Sequence, residues 1–382
     1  MTSSLRLEVL TMCDLRFLPQ AFVLQRSLER HGAPFRLRIL CMDEVSEQVL
    51  ARASLTGVET VSLAELEDHE PRLAALKRER TWREYCWTAT PAFCRRALDH
   101  AGERDVVLWV DADLEFLRDP HALLEELGDG SILLTPHAYY RTYPTAAPAS
   151  FLTERWGRYN GGAIAFRGDE QGRAAAELWR SRSLEWCHDR LEPGLYGNQL
   201  HLADLPARFS ATRVLRVPGG GLAPWNAAQY EIARNGAGVT AEGLPVVFYH
   251  HQSLRLYRRP LHLRPLGLPS NVFPLPRSRR ALVGRANPRY RISRAERRLI
   301  WRPYVRRLAE AVTDVADLIG EGSASEAQFE VLRPGHVLED TGRRLRLRAS
   351  PVERNIRNAR RAFGVGAERS RGAAPQPERT QP

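Results

Sequence analysis

The 382-residue chain has a single lysine, Lys77, so the other 55 of its 56 basic residues are arginine. An excess that one-sided reflects coding composition as readily as it reflects a partner that selects for positive charge. Cysteine is sparse: five residues (13, 41, 86, 94 and 187), odd in number and without a CxxC pair. This excludes a zinc ribbon or a disulfide scaffold, and a reduced, cytosolic protein is the simplest expectation. No apolar run reaches the roughly 18 residues that would span a bilayer. The opening MTSSLRLEVL lacks the apolar core of a signal peptide. There is no internal repeat.

Acidic charge is scarce only in part of the chain. Residues 1–250 carry 28 basic and 33 acidic side chains, whereas residues 251–382 carry 28 basic and 12 acidic. The net charge of +11 therefore belongs to the C-terminal third.

What is present is a core. The chain is 43% hydrophobic, and its first 135 residues alternate between two periods. Strand-like stretches at 5–13, 35–42, 57–63, 105–110 and 131–136 alternate with helix-like ones at 18–32, 44–54, 82–100 and 119–128. Pro91 is expected to mark a kink or a helix start. This alternation predicts an α/β, doubly wound sheet. Beyond it, 137–150 reads as a polar, aromatic, mobile loop, 161–168 as a strand, 169–191 as an amphipathic helix and 244–251 as a last strand. Residues 293–320 read as one or two amphipathic helices interrupted near Pro303, and residues from about 350 as disordered.

The densest signal is VVLWVDADLEFLRDP, 106–120. A fully apolar strand ends in two acids one residue apart, Asp111 and Asp113. In open α/β sheets ligands bind beyond the carboxyl ends of the strands. Two adjacent like charges repel unless a cation sits with them, and a divalent ion takes oxygen ligands while holding a diphosphate. The ordinary alternative is a solvated turn with Asp111 starting a helix. Haloacid-dehalogenase-type phosphatases also use a strand plus D-x-D, but they need a downstream lysine, and none follows Asp113.

With VLWVDADLEFLRDP the chain resembles glycosyltransferases of the GT-A fold, the nucleotide-diphospho-sugar transferases. Further segments fit in order: YCWTATPAF, SILLTPH, RYNGGAIAFR, EWCHDRLEPGLYGNQLHLADLPARF, LAPWN and VVFYHHQSL. These resemble the family 8-like retaining branch over roughly residues 5–260. The resemblance implies a GT-A (Rossmann-like) catalytic domain at 1–260, followed by a basic Arg/Pro-rich helical extension at 261–349 and a disordered tail at 350–382.

It also implies roles. Asp113 would be the principal metal ligand, Asp111 would bind the same ion or the ribose, and His250 would be the third protein ligand. A mixed Asp/His set suits Mn²⁺, with Mg²⁺ as substitute. Asn160, Gly161 and Gly162 would approach the donor sugar or acceptor, and Gln199 would stand near the anomeric carbon as a polar stabiliser. Trp225 and Asn226 would floor the acceptor site. Thr11, Met12, Cys13 and Asp14 at the end of the first strand, and Asp43 at the end of the second, would face the nucleotide. Two departures stand out: Asn198 occupies a position usually held by Asp, and His251 one where an aromatic residue is commoner. Retention of configuration follows from the resemblance alone.

The expectation is thus a metal-dependent glycosyltransferase. It would move a sugar from a nucleotide-diphosphate sugar, UDP first among them, to a glycan, lipid-linked or small-molecule acceptor. Two other readings stay open. One is a non-catalytic sugar-nucleotide-binding or partner-binding module, which Asn198 keeps alive. The other is a sugar-1-phosphate nucleotidyltransferase, although TMCDLRFLPQ lacks the glycine-rich phosphate loop that such an enzyme wants. The arginines of 255–310, set among Leu, Trp and Tyr, read as a solvated extension packed on the domain. Alternatively they rest peripherally on the anionic inner face of the membrane; nucleic acid is the least favoured partner.

Overall fold

The computed structural model describes residues 6–331 apart from 32–33, 141–148, 237, 259–271, 276–280, 286–289, 291 and 321–328. Chain contacts define one compact unit, Met1–Val331, and a second, Leu332–Pro382. The second unit, with the tail expected to be disordered, lies outside the described residues, as does most of the 137–150 loop.

The expected α/β class is observed. A seven-stranded sheet has the order β3-β2-β1-β4-β7-β6-β8. Its strands are β1 (Leu7–Cys13), β2 (Arg36–Cys41), β3 (Val58–Ser62), β4 (Val106–Val110), β6 (Ile132–Pro136), β7 (Tyr159–Arg167) and β8 (Thr212–Val214). β7 alone runs antiparallel, wedged between β4 and β6; the other pairings are parallel.

β4 shows why the sequence signal is strong. Val106, Leu108 and Val110 face one apolar cluster, and Val107 and Trp109 face the other. A strand covered on both faces needs an unbroken apolar run. One face is covered by α1 (Leu18–Arg30) and α2 (Glu44–Ala53), the other by α5 (Trp82–Asp99) and α8 (Glu170–Glu185). Short helices α3 (Leu63–His69) and α4 (Pro71–Leu76) precede α5, and α6 (Ala122–Leu127), α7 (Ala149–Trp156) and α9 (Leu205–Arg208) join the later strands.

Pro91 does not break α5; it lies inside the helix. Lacking an N–H, it leaves the carbonyl one turn back, that of Trp87, without its helical donor. The side-chain amide of Asn198 donates to that carbonyl at 2.8 Å. The proline is tolerated because a distant residue satisfies the acceptor it exposes.

Among the described residues, three small sheets accompany the seven-stranded one. β5 (Leu114–Phe116), β13 (Phe248–His250) and β9 (Gly221–Leu222) form one. β10 (Ile232–Asn235), β11 (Gly238–Ala241) and β12 (Leu244–Pro245) form a meander. β15 (Val272–Pro274), β16 (Ala281–Arg285), β14 (Leu254–Arg258) and β17 (Glu330–Val331) form the last.

The C-terminal helical segment changes its winding just before Pro303, near where an interruption is expected. Ser293 and Glu296 form a capping box that starts α10 (Arg294–Glu296). A π-turn over Arg297–Trp301 follows, and α11 (Arg302–Ile319) begins with Pro303 in its first turn. A proline is accepted there because the first-turn N–H has no intrahelical partner to lose in an α-helix start, and the wider turn before it relieves the ring clash. The apolar stripe Tyr304, Leu308, Ala311, Val312 and Val315 joins the same core as α1 and α2. Arg26 pairs with Asp314 at 2.6 Å, and Arg52 donates to the Leu318 carbonyl at 3.0 Å. The compact unit thus runs straight through the composition boundary at 260. No helix among the described residues is long and apolar enough to cross a membrane.

Candidate active site

β4 delivers Asp111 to the sheet's carboxyl edge, where its backbone N–H donates to the Gly162 carbonyl of β7 at 2.9 Å. A tight turn follows, closed by Leu114 N–H to Asp111 O at 3.0 Å, and β5 starts at once. β13 pairs antiparallel with β5, His250 opposite Leu114. The amide of His251 donates to the Asp113 carbonyl at 2.8 Å. These backbone bonds bring together residues 137 positions apart in the chain. His250 Nε2 lies 3.0 Å from Asp113 Oδ1 and 3.5 Å from Asp111 Oδ2. One ligand atom from each of the three lies within 4.8 Å of the others.

The electrostatics match a cation site. Asp113 and His250 are 6% and 3% exposed, so each ion depends on the other. Burial pushes His250 towards the neutral form, but the charge and hydrogen bond of Asp113, then Asp111, more than offset it and its pKa is raised. Burial likewise opposes ionisation of Asp113, which His250 outweighs, leaving its pKa lowered. Asp111 goes the other way: desolvation raises its pKa and the Asp113 charge adds to that, against the pull of His250. Its side chain stays 42% exposed, so of the three it is the one that faces solvent. A proton shared among two carboxylates and an imidazole is what a divalent ion displaces on binding.

Gly162 shows that the space between these groups is kept clear. A Cβ there would lie 2.5 Å from His250 Cε1 and 2.8 Å from both Asp111 Oδ2 and Asn160 Oδ1. The donor set, its spacing and this cradle fit a divalent cation.

The Asn-Gly-Gly segment is held by a residue that sequence reasoning missed. His137, at the end of β6, directs Nδ1 to the Gly157 carbonyl at 3.0 Å. That nitrogen must carry the proton, so Nε2 accepts, and it faces Asn160 Nδ2 at 3.3 Å. Burial pushes the His137 pKa down to about 3, which keeps the ring neutral in this role. Asn160 Oδ1 then accepts from Gly162 N–H at 2.8 Å. Gln199 Oε1 accepts from Gly161 N–H at 3.1 Å and from Asn160 at 3.4 Å, while its amide donates to the Trp156 carbonyl. Asn160, Gly161, Gly162 and Gln199 therefore stand together beside Asp111.

The remaining expected residues have other settings. Trp225 is buried, edge-on to both His250 (5.4 Å) and His137 (5.3 Å). Asn226 is tied to the Ala223 amide and the His137 carbonyl. Thr11 and Cys13 are buried in full. Asp43 caps α2 through Ser46 and accepts from Leu15 N–H at 2.8 Å. Asp14 accepts from the amides of Arg16 and Phe17 and from the indole N–H of half-exposed Trp82 at 3.2 Å. The Asn198 amide N–H is used on α5, as described, while its Oδ1 lies toward Gly161. Of these seven residues, Trp225 touches the Asp111–Asp113–His250 cluster and Asn198 the adjoining Gly161.

No family model matches the chain. Among solved structures, the galactosyltransferase LgtC in complex with donor and acceptor sugar analogues is 16% identical, with a TM-score of 0.41 over 64% of this chain and 87% of that one. At that level the likeness carries nothing about substrate or chemistry. Sequence relatives are nearer. The uncharacterized protein YfnD of Bacillus subtilis (strain 168) is 30% identical over 234 residues, 60% of this chain and 72% of its own. YfnF of the same organism, also uncharacterized, is 32% identical over 238 residues, which span 62% of this chain and 78% of YfnF. At that identity and coverage, the chain belongs to the family that contains YfnF and YfnD.

Proposed function

We propose that the chain is a metal-dependent glycosyltransferase that takes a nucleotide-diphosphate sugar, UDP-linked in the first instance, as donor and a glycan, lipid-linked or small-molecule hydroxyl as acceptor. The observation that carries this reading is the Asp111–Asp113–His250 group at the carboxyl end of β4, with Gly162 leaving room for Asp111 and His250 to approach. Mn²⁺ or Mg²⁺ held there would supply positive charge to the departing diphosphate.

The chain's own residues would do the rest. Asn160 and the Gly161–Gly162 backbone would border the approach to Asp111, where the absence of side chains lets a sugar come close. The polar groups nearest Gly161 are the amides of Asn198 and Gln199. Neutral amides neither take a proton nor serve as good nucleophiles. Gln199 would therefore stabilise charge on the sugar while the acceptor enters from the leaving-group side, with retention.

Position 198 also has a structural reading. Asn198 replaces an expected Asp, but here it is a donor to the carbonyl that Pro91 exposes, a duty a carboxylate cannot perform. The extension at 261–319 is proposed as part of this catalytic unit rather than as a membrane surface, since the apolar stripe of α11 is used up in the core. The test is free nucleoside diphosphate released from a panel of UDP-, GDP-, dTDP- and ADP-sugars with Mn²⁺ or EDTA.

A further inference from the structure

β5 and β13 form a ribbon with two faces. Across an antiparallel pair, opposite residues point the same way and neighbours point opposite ways. Tyr249 stands opposite Glu115, and His250 opposite Leu114. His250 therefore faces the cation group, while Glu115 and Tyr249 face the reverse side, where α11 and the π-turn lie.

That reverse side is a buried polar network with no role in the chemistry above. Glu115 is fully buried, yet it carries Arg307 Nη2 at 2.6 Å and Arg30 Nη1 at 3.4 Å. His251 lies with its Nε2 3.7 Å from Glu115 Oε2 and stacks on Tyr304, ring centres 3.5 Å apart. Next to it, Tyr249 donates to Glu296 at 2.6 Å and accepts from the Trp301 indole at 3.0 Å. Glu296, Trp301, Tyr304 and Arg307 all belong to one helical run, 294–319.

A buried ion pair is a poor source of net stability, because desolvation cancels most of its attraction; what it does supply is a fixed geometry. Here the geometry fixed is that of Asp113, two residues before Glu115, and His250, next to Tyr249; the Asp113 carbonyl and the His251 amide tie the two strands together. We propose that Glu115 and Arg307 are positioning residues: the pair between the buried Glu115 carboxylate and the partly buried Arg307 clamps the β5–β13 ribbon to α11 and so sets the spacing of Asp113 and His250. This rests on the metal-site reading above. It also gives the C-terminal helix a part in that site.

The test uses the full chain and Mn²⁺ alone, titrated by calorimetry, with the melting temperature of each protein recorded. Loss of a partner that orients a metal ligand commonly weakens metal binding about 10- to 100-fold. Arg307→Met should show a loss in that range. Arg307→Lys, which keeps the charge but loses the planar fork, should fall between Arg307→Met and the wild type. A purely structural role would lower the melting temperature of both variants and leave Mn²⁺ affinity at 25 °C within about twofold of wild type, and that result overturns the proposal. If Arg307→Met does not fold, Arg307→Lys decides: weaker binding supports the clamp, and unchanged binding rejects it. No Mn²⁺ binding by the wild type would instead remove the metal site itself, a separate failure.

Discussion

Gly162 is the position where one methyl group tests the most. Its φ lies outside the left-handed region, so alanine there meets no backbone strain and acts through space alone. The added Cβ would lie 2.5 Å from His250 Cε1 and 2.8 Å from Asp111 Oδ2, so restoring ordinary contact at about 3.4 Å moves these groups by about 0.6 to 0.9 Å. Metal sites tolerate ligand displacements of about 0.2 Å. Gly162→Ala should therefore weaken Mn²⁺ binding by at least the 10- to 100-fold typical of a misoriented ligand. The cost in stability should stay near the 1–3 kcal/mol of an overpacked core, because the atoms displaced are side-chain ends beside an opening. Calorimetric Mn²⁺ titration and urea unfolding on the same preparation separate the two. A stable variant that binds Mn²⁺ like the wild type would refute the assignment of the space beside Gly162 to a cation.

Two other contacts give outcomes of their own. Burial would raise the Glu84 pKa, but the amides of Asp189 and Thr81, the Thr81 hydroxyl and His188 bring it down to about 2 from 4.5. A depressed carboxylate adds stability above its unfolded pKa and loses it as pH falls through the folded one. At 1.36 kcal/mol per unit the contribution is on the order of 3 kcal/mol. Urea unfolding of Glu84→Gln against wild type should show that gap at pH 7 and its decline between about pH 4.5 and 2; a gap independent of pH would contradict it. Asn198→Asp sets a carboxylate against the Trp87 carbonyl and should cost about 1–3 kcal/mol without raising turnover. Unchanged stability together with faster donor cleavage would instead return position 198 to the chemistry.

Much of the fold could be read from the chain because burial writes itself into period. β4 is apolar throughout since both faces are covered, and the helices α1, α2 and α5 begin and end near the expected places. The antiparallel sense of β7 could not be read, because apolar content fixes burial but not direction. β5 escaped because three residues give no period. Pro91 misled because its missing N–H is compensated by Asn198, which lies 107 positions away.

The candidate site divides the same way. Asp111 and Asp113 announce themselves locally, as strand plus D-x-D. His250 was reachable only through resemblance, since its place depends on a pairing between β5 and β13. His137 carries no local mark at all: its role comes from Gly157 and Asn160 on other elements. Nothing in DLEF marks Glu115 as buried, and the structure shows it fully enclosed and paired with Arg307. Asp43 and Asp14 were legible as polar strand ends, but the backbone amides that occupy them were not.

The most direct test of the central claim is nucleoside diphosphate release from the donor panel, with Mn²⁺ or EDTA, by the wild type and by Asp113→Ala. The account predicts metal-dependent release from one donor, abolished by EDTA and by the substitution. Neither release nor metal-dependent binding of any donor, the latter measured by calorimetry, would contradict it and leave Asp111 and Asp113 as the acids of a turn.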